Sequence, residues 1–441
     1  MRRTTTAVVI CLGCVALCAA CFLLSDVVGS AHGPIISQGV KTIGADVWHA
    51  AGYDGTGVKV AVWDFSFCGY ERLLGAELPP ADRVVAKGFG LPVTGFPDED
   101  PEDAAHGTAV AEIVHDVAPG ATLYLIATDT DDDALAALDW MIDQSIDIVV
   151  ASISVDGWCL DTGSSIYEPM FERLRAAGIL LVSSSGNEGL SHWQGPFVDV
   201  DGDGLHEFAP SDEGISVRLY AGELIDVILQ WDDPCRPSRN DYILRLVDRR
   251  GRVVAESDYD NWLDGPYEDL YTEAPRGGTY TIQIEKYSGS SNVVFDLVWP
   301  NGPELEHGSR EGSVGFFEPS VSPNVLTVGA INWRTLKLES TSSGGPTKDG
   351  RIKPDLVAPT CVVTETYGGR ASEYREYECG FEGTSAAAPH VAGAAALVKQ
   401  AFPLYRADEI QAYLEAHAVD QGVPGKDNVY GAGRVLLPPP P

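Results

Sequence analysis

The stretch GVKVAVWDFSF, residues 57–67, decides the fold. A glycine turn leads into a run, Val58 to Trp63, that is apolar except at Lys59 and ends on a carboxylate, Asp64. A strand wetted on one face alternates apolar and polar residues, because successive side chains point to opposite faces. This run does not alternate, so both of its faces are expected to be covered. The same grammar continues downstream. ATLYLIAT (121–128) reads as a strand, Asp132 to Gln144 as a helix, IDIVVASIS (146–154) as a strand, Ile166 to Ala177 as a helix, and GILLVSSSGN (178–187) as a strand. Apolar strands alternating with helices indicate an α/β fold with a parallel sheet between two helical layers.

The texture then changes. GISVRLY, DVILQW, DYILRLVD, YTIQIEKY and NVVFDLVW are short alternating segments separated by Gly, Asp, Asn and Pro, as in an antiparallel β-sandwich. NVLTVGAI (324–331) and an alanine-rich helix starting near Ser385 resume the first style. The expected division is an α/β body over 40–195 and 305–436, an inserted all-β sandwich over 196–304, and a Pro-rich tail at 437–441. Residues 1–31 read as a secretory signal: Arg2 and Arg3 precede an apolar stretch, Ala7 to Leu24, and the small residues Gly29, Ser30 and Ala31. That stretch borders on the length of a membrane span, so an uncleaved N-terminal anchor is the alternative. The expected location is secreted or at the extracellular surface.

Composition excludes some partners. The formal charge is -34, from 64 acidic and 30 basic residues, a field that repels nucleic acid and anionic lipid head groups. With 44% apolar residues and nine Trp the chain is a folding one, not a disordered one. A monomer is expected.

Strands of an open parallel sheet deliver polar groups at their carboxyl ends, where such folds bind ligands. Asp64 and Asn187 lie at such ends, His106 opens the helical stretch HGTAVAEIV, and Ser385 opens the alanine-rich helix. A serine hydroxyl is a poor nucleophile until an imidazole takes its proton, and the imidazole needs a carboxylate to fix its tautomer and steady its charge. All three groups are present. A serine at a helix N-terminus also sits beside unpaired N–H groups that favour an oxyanion.

These stretches, in this order, resemble the subtilisin-like serine proteases, the subtilase family. VAVWDFSF resembles the strand of the catalytic aspartate (Asp64), HGT the histidine segment (His106), SSSGNEG the oxyanion-hole segment (Asn187), and GTSAAAPHVAGAAALV the nucleophile motif (Ser385). SVSPNVLTVGA, SGGPTKDGRIKPDLVAP and GAGRV match in order as well. The resemblance implies a three-layer α/β/α body and a peptide-bond hydrolase acting on polypeptides without a catalytic cofactor. It also implies an edge segment, Ser152 and Ser154 with Gly157 beyond, on which substrate backbone is laid. The chain departs from the family pattern at Phe65 and Ser66 after the aspartate, at Ala109 for a common second histidine, and at Ala386 for the usual Met.

DVDGDGLHEF (199–208) sets Asp199, Asp201 and Asp203 at alternate positions before Gly204, the spacing by which a turn aims carboxylates at one Ca2+, with Glu207 to complete the set. Pro210 stands where an EF-hand-like loop would carry its bidentate glutamate, so an unliganded acidic turn is the competing reading. Cys361 and Cys379 flank a short polar excursion and are the expected disulfide, against two buried thiols. The rival to an enzyme is an inert, calcium-dependent binding or adhesion protein on a protease-like scaffold.

Overall fold

The computed structural model describes residues 33–96, 104–155, 165–233, 238–289, 292–315, 318–369 and 379–441. The run that opens the argument is strand β1 (Lys59–Asp64), and every residue of it after Lys59 is buried. It pairs in parallel with β3 (Thr122–Thr128) on one side and β4 (Ile148–Ala151) on the other. With β2 (Val84–Phe89), β5 (Leu180–Ser184), β14 (Val325–Asn332) and β15 (Leu356–Thr360) these form a seven-stranded sheet in the order β15-β14-β5-β4-β1-β3-β2. All of its pairings are parallel.

Alternation of side chains across this sheet makes two separate cores. Val60 and Val62 of β1, Ile148 and Val150 of β4, and Leu180 and Val182 of β5 enter one core, shared with the helices His106–Val117 and Thr384–Ala401. Ala61, Trp63, Val149, Ala151 and Leu181 face the other, covered by the helices Asp131–Asp143 and Glu168–Ala177. The three-layer α/β/α architecture expected from the sequence is present.

The helix Thr384–Ala401 is buried at almost every position down to Val398. A helix apolar on all sides belongs inside a protein. Its small residues let it lie close to both neighbours: a Cβ at Gly393 would stand 2.5 Å from Val117 of the His106 helix. Among the described residues no helix is long and apolar enough to cross a membrane. The signal segment 1–31 lies outside the described residues.

The insertion carries two antiparallel four-stranded sheets. One has the order β10-β9-β12-β7, with β7 (Ile215–Leu219), β9 (Asp241–Asp248), β10 (Val253–Ser257) and β12 (Gly278–Ser288). The other has the order β11-β8-β13-β6, with β6 (His192–Pro196), β8 (Leu224–Trp231), β11 (Tyr267–Glu273) and β13 (Val294–Val298). Their inner faces share one core of Ile215, Leu229, Trp231, Tyr242, Leu244, Ile282 and Phe295. The first strand begins earlier than the boundary at 196 suggested: His192 already pairs with Val298. A strand of five residues running into Gly195-Pro196 carries too little alternation to be seen in the sequence.

Candidate active site

Asp64 is the last residue of β1 and is wholly buried. One of its carboxylate oxygens accepts the backbone N–H of Phe65 at 2.9 Å. The imidazole of His106 meets the same carboxylate, with Nδ1 3.1 Å from Oδ1 and 3.0 Å from Oδ2. A carboxylate accepts, so Nδ1 is the nitrogen that donates to it. The two residues after the histidine make this contact feasible. A Cβ at Gly107 would stand 2.8 Å from the Asp64 Cβ and 2.5 Å from the Ser66 carbonyl, so only glycine lets the helix press against the end of β1. Thr108 then fastens the helix by donating its hydroxyl to the Cys68 carbonyl at 3.0 Å.

Ser385 stands in the first turn of its helix, preceded by Gly383 at φ 81°, a left-handed conformation that favours glycine. Four residues on, Pro389 has no N–H to give back to the Ser385 carbonyl. That carbonyl is instead served from another element: the Ser152 hydroxyl, just beyond β4, donates to it at 2.9 Å. In return the Ser385 hydroxyl donates to the Ser152 carbonyl at 3.1 Å. Ser152 thus turns its side chain inward onto Ser385, whereas Ser154 is exposed. Val155 forms an antiparallel bridge with Glu318. Gly157 lies outside the described residues.

Asn187 follows β5 and reaches the same loop. Its Oδ1 accepts the Thr384 N–H at 2.9 Å and the Thr384 hydroxyl at 3.0 Å. The carboxamide lies so close over Gly383 that a Cβ there would be 3.0 Å from Nδ2. With the oxygen engaged by Thr384, the NH2 group is the end left to donate. Phe381, four residues before the serine, stands edge-on to the His106 ring with centroids 5.4 Å apart. The segments bearing Asp64, His106, Asn187 and Ser385 therefore meet at the carboxyl edge of the sheet.

The insertion brings Asp199, Asp201 and Asp203 together, one oxygen of each lying within 4.8 Å of the others. The turn is held by its own side chains: Asp199 accepts the N–H groups of Gly202 at 2.7 Å and Gly204 at 3.2 Å, and Asp203 accepts that of Leu205 at 2.9 Å. Three hard oxygens at one focus suit a hard cation such as Ca2+. Glu207 is not gathered with these three; its two oxygens accept the backbone N–H groups of Val200 and Ser211. A second set, Asp212, Glu306 and His307, was not visible in the sequence, since its members come from opposite ends of the insertion. His307 Nε2 is 3.0 Å from Asp212 Oδ2. Cys361 and Cys379 are bonded to each other, and Cys68 is also disulfide-bonded.

Comparison with known proteins bears on the same residues. The sequence model of the subtilase family matches residues 272–433, a span that includes Ser385. Over these residues the chain is similar to the subtilases. Among curated proteins it is similar to the minor extracellular protease Vpr of Bacillus subtilis, 24% identical over 92% of this chain and 54% of that protein. It is also similar to bacillopeptidase F of Bacillus subtilis, 34% identical over 56% of this chain and 16% of that protein. Subtilisin Savinase of Lederbergia lenta is 35% identical over 29% of this chain and 40% of that one. The chain thus spans about half of the Vpr protease and a smaller part of the others. Among solved structures, the CspB protease of Clostridium perfringens superposes with a TM-score of 0.62 at 19% identity, covering 90% of this chain and 97% of that one. MycP1 with its N-terminal propeptide removed gives 0.50 at 18% identity, over 91% and 95% of the two chains. These likenesses show the subtilase fold.

Proposed function

We propose that this chain is a subtilase and a secreted serine endopeptidase that cuts polypeptides through Asp64, His106 and Ser385. The observation that carries the reading is the hydrogen-bonded pair of a buried Asp64 and His106 Nδ1, set beside the serine loop by Phe381. With Nδ1 turned to the carboxylate, Nε2 is the atom that takes up the serine proton. The Ser385 hydroxyl leaves the Ser152 carbonyl, gives its proton to Nε2 and attacks the scissile carbonyl. Asp64 steadies the imidazolium that results. The Asn187 NH2 group and the backbone N–H of Ser385 hold the oxyanion, and His106 returns its proton to the leaving amine. Water then takes the same route to release the acyl group.

The named extracellular relatives support secretion. Ser154 and Gly157 are the residues proposed to meet substrate backbone, while Ser152 serves Ser385. Asp199, Asp201 and Asp203 are proposed to hold a structural Ca2+, without Glu207. A fluorophosphonate probe tests the central claim and its inert, calcium-binding rival together. Labelling is expected in the intact chain and lost in Ser385→Ala, with casein hydrolysis falling more than about 10,000-fold, a magnitude borrowed from another member of the family. An unlabelled, folded chain would remove the enzyme reading.

A further inference from the structure

The residue after Asn187 is a glutamate whose side chain is buried to 6% exposure, and the mechanism above gives it no task. A carboxylate in that position is tolerated only where donors surround it. One is in place: the Ser343 hydroxyl donates to Glu188 Oε2 at 3.2 Å. Gly186, at φ 99°, leaves the space: a Cβ there would lie 2.3 Å from Glu188 Oε2. The carboxylate thus folds back over Gly186 and holds the Ser343 hydroxyl. The opposite wall is fixed as well. Ser343 gives its N–H to the Gly186 carbonyl at 3.0 Å, its Oγ accepts the Glu188 N–H at 3.1 Å, and Gly189 gives its N–H to the Thr341 carbonyl at 2.9 Å. Burial pushes the Glu188 carboxyl up to about 7, opposed by the Ser343 hydroxyl and by His192 of the insertion. The Arg310 guanidinium lies beyond Gly189, where a Cβ would meet it at 2.9 Å.

We propose that Glu188 is a positioning residue for Asn187: its carboxylate holds the Ser343 hydroxyl, and Ser343 in turn clamps the main chain at Gly186 and Glu188, on both sides of Asn187, which sets where the carboxamide stands over Gly383 and Thr384. The inference rests on the reading of Asn187 as an oxyanion donor. A donor in a preorganised hole works only within a few tenths of an ångström of its place, so a loosened Asn187 costs turnover and spares substrate affinity.

A double-mutant cycle tests this, with initial rates on fluorescein-casein over a concentration series and thermal melting of each variant. Asn187→Ala is expected to lower kcat about 100- to 1000-fold. Glu188→Ala is expected to lower kcat about tenfold at nearly unchanged KM, and to cost nothing further once Asn187 is alanine. Glu188→Gln, whose amide oxygen still accepts the Ser343 hydroxyl, is expected to recover most of the loss. Equal losses in both backgrounds, or full kcat in Glu188→Ala, would overturn the positioning role while leaving the oxyanion reading intact. If Asn187→Ala keeps full kcat, both fall. Should Glu188→Ala not fold, Ser343→Ala supplies the same cycle. It removes the Oε2 donor, and it must lower kcat about threefold in the wild-type background and not in Asn187→Ala; an unchanged kcat there overturns the proposal.

Discussion

The body and the insertion pack by opposite means. In the body, the Ser385 helix is rich in alanine and glycine and lies close on the His106 helix, with Gly393 against Val117. In the insertion, the two sheets are held apart by rings: Phe295 meets Tyr242 at 4.8 Å and Phe197 at 5.9 Å, and Trp231 meets Tyr242 at 5.1 Å. Close helix packing brings main chain, and the polar groups at its ends, to one place. Wide aromatic packing brings stability without such convergence, and the polar clusters of the insertion sit in its turns. The catalytic candidates and the cation candidates divide along that line.

The contrast can be broken from the insertion side first. Phe295→Ala should cost about 3–5 kcal/mol, because a wholly buried ring leaves a cavity. If the two units melt separately, calorimetry should show the lower transition move while fluorophosphonate labelling of Ser385 persists. Gly393→Ala attacks the body, and should cost about 1–3 kcal/mol with a loss of labelling rate, since the added carbon must push the two helices apart. A neutral result in either would show that the region adapts where close packing says that it cannot.

Acid–base behaviour sharpens the difference. Glu112, in the body, is raised to about 8 chiefly by burial, against the amides of Glu365 and Thr366 that donate to it. The unfolded chain loses this proton near 4.5 and the folded chain only near 8, so stability contributed here falls as pH rises between those values. Glu112→Gln should remove up to about 1.4 kcal/mol per pH unit of that slope in melts across the window. In the insertion the sign is reversed. Asp296 is held down to about 2 by Lys348 and His192 despite its burial, so its contribution is present above pH 3.8 and lost as pH falls toward 2. The smallest effect expected is from a chelator, about 1 kcal/mol off the stability of the insertion. Asp201→Asn should show no response to it.

Much of this was legible, and the reasons are specific. Val60 to Trp63 announced a two-sided strand because no position on it was polar, and Asp64 was conspicuous as the end of that run. Gly107, Thr108, Gly383 and Asn187 were recognisable as motif residues, although the close approaches that require them are visible only in three dimensions. Asp199, Asp201 and Asp203 follow from local spacing. Glu207 is not gathered with them, and its oxygens take the amides of Val200 and Ser211 instead, which spacing along the chain does not announce. The inward turn of Ser152 was hidden for another reason. It answers a carbonyl left unserved by Pro389, and no pattern within residues 146–154 records what happens at residue 389.

That proline has a wider consequence. A residue inside a helix is normally tethered by the helix itself, so it travels wherever the cylinder goes. The carbonyl of Ser385 is moored to the neighbouring strand end instead. Thermal sliding of the helix along its axis is therefore resisted at the one residue where a displacement would matter, and the nucleophile belongs mechanically to the sheet.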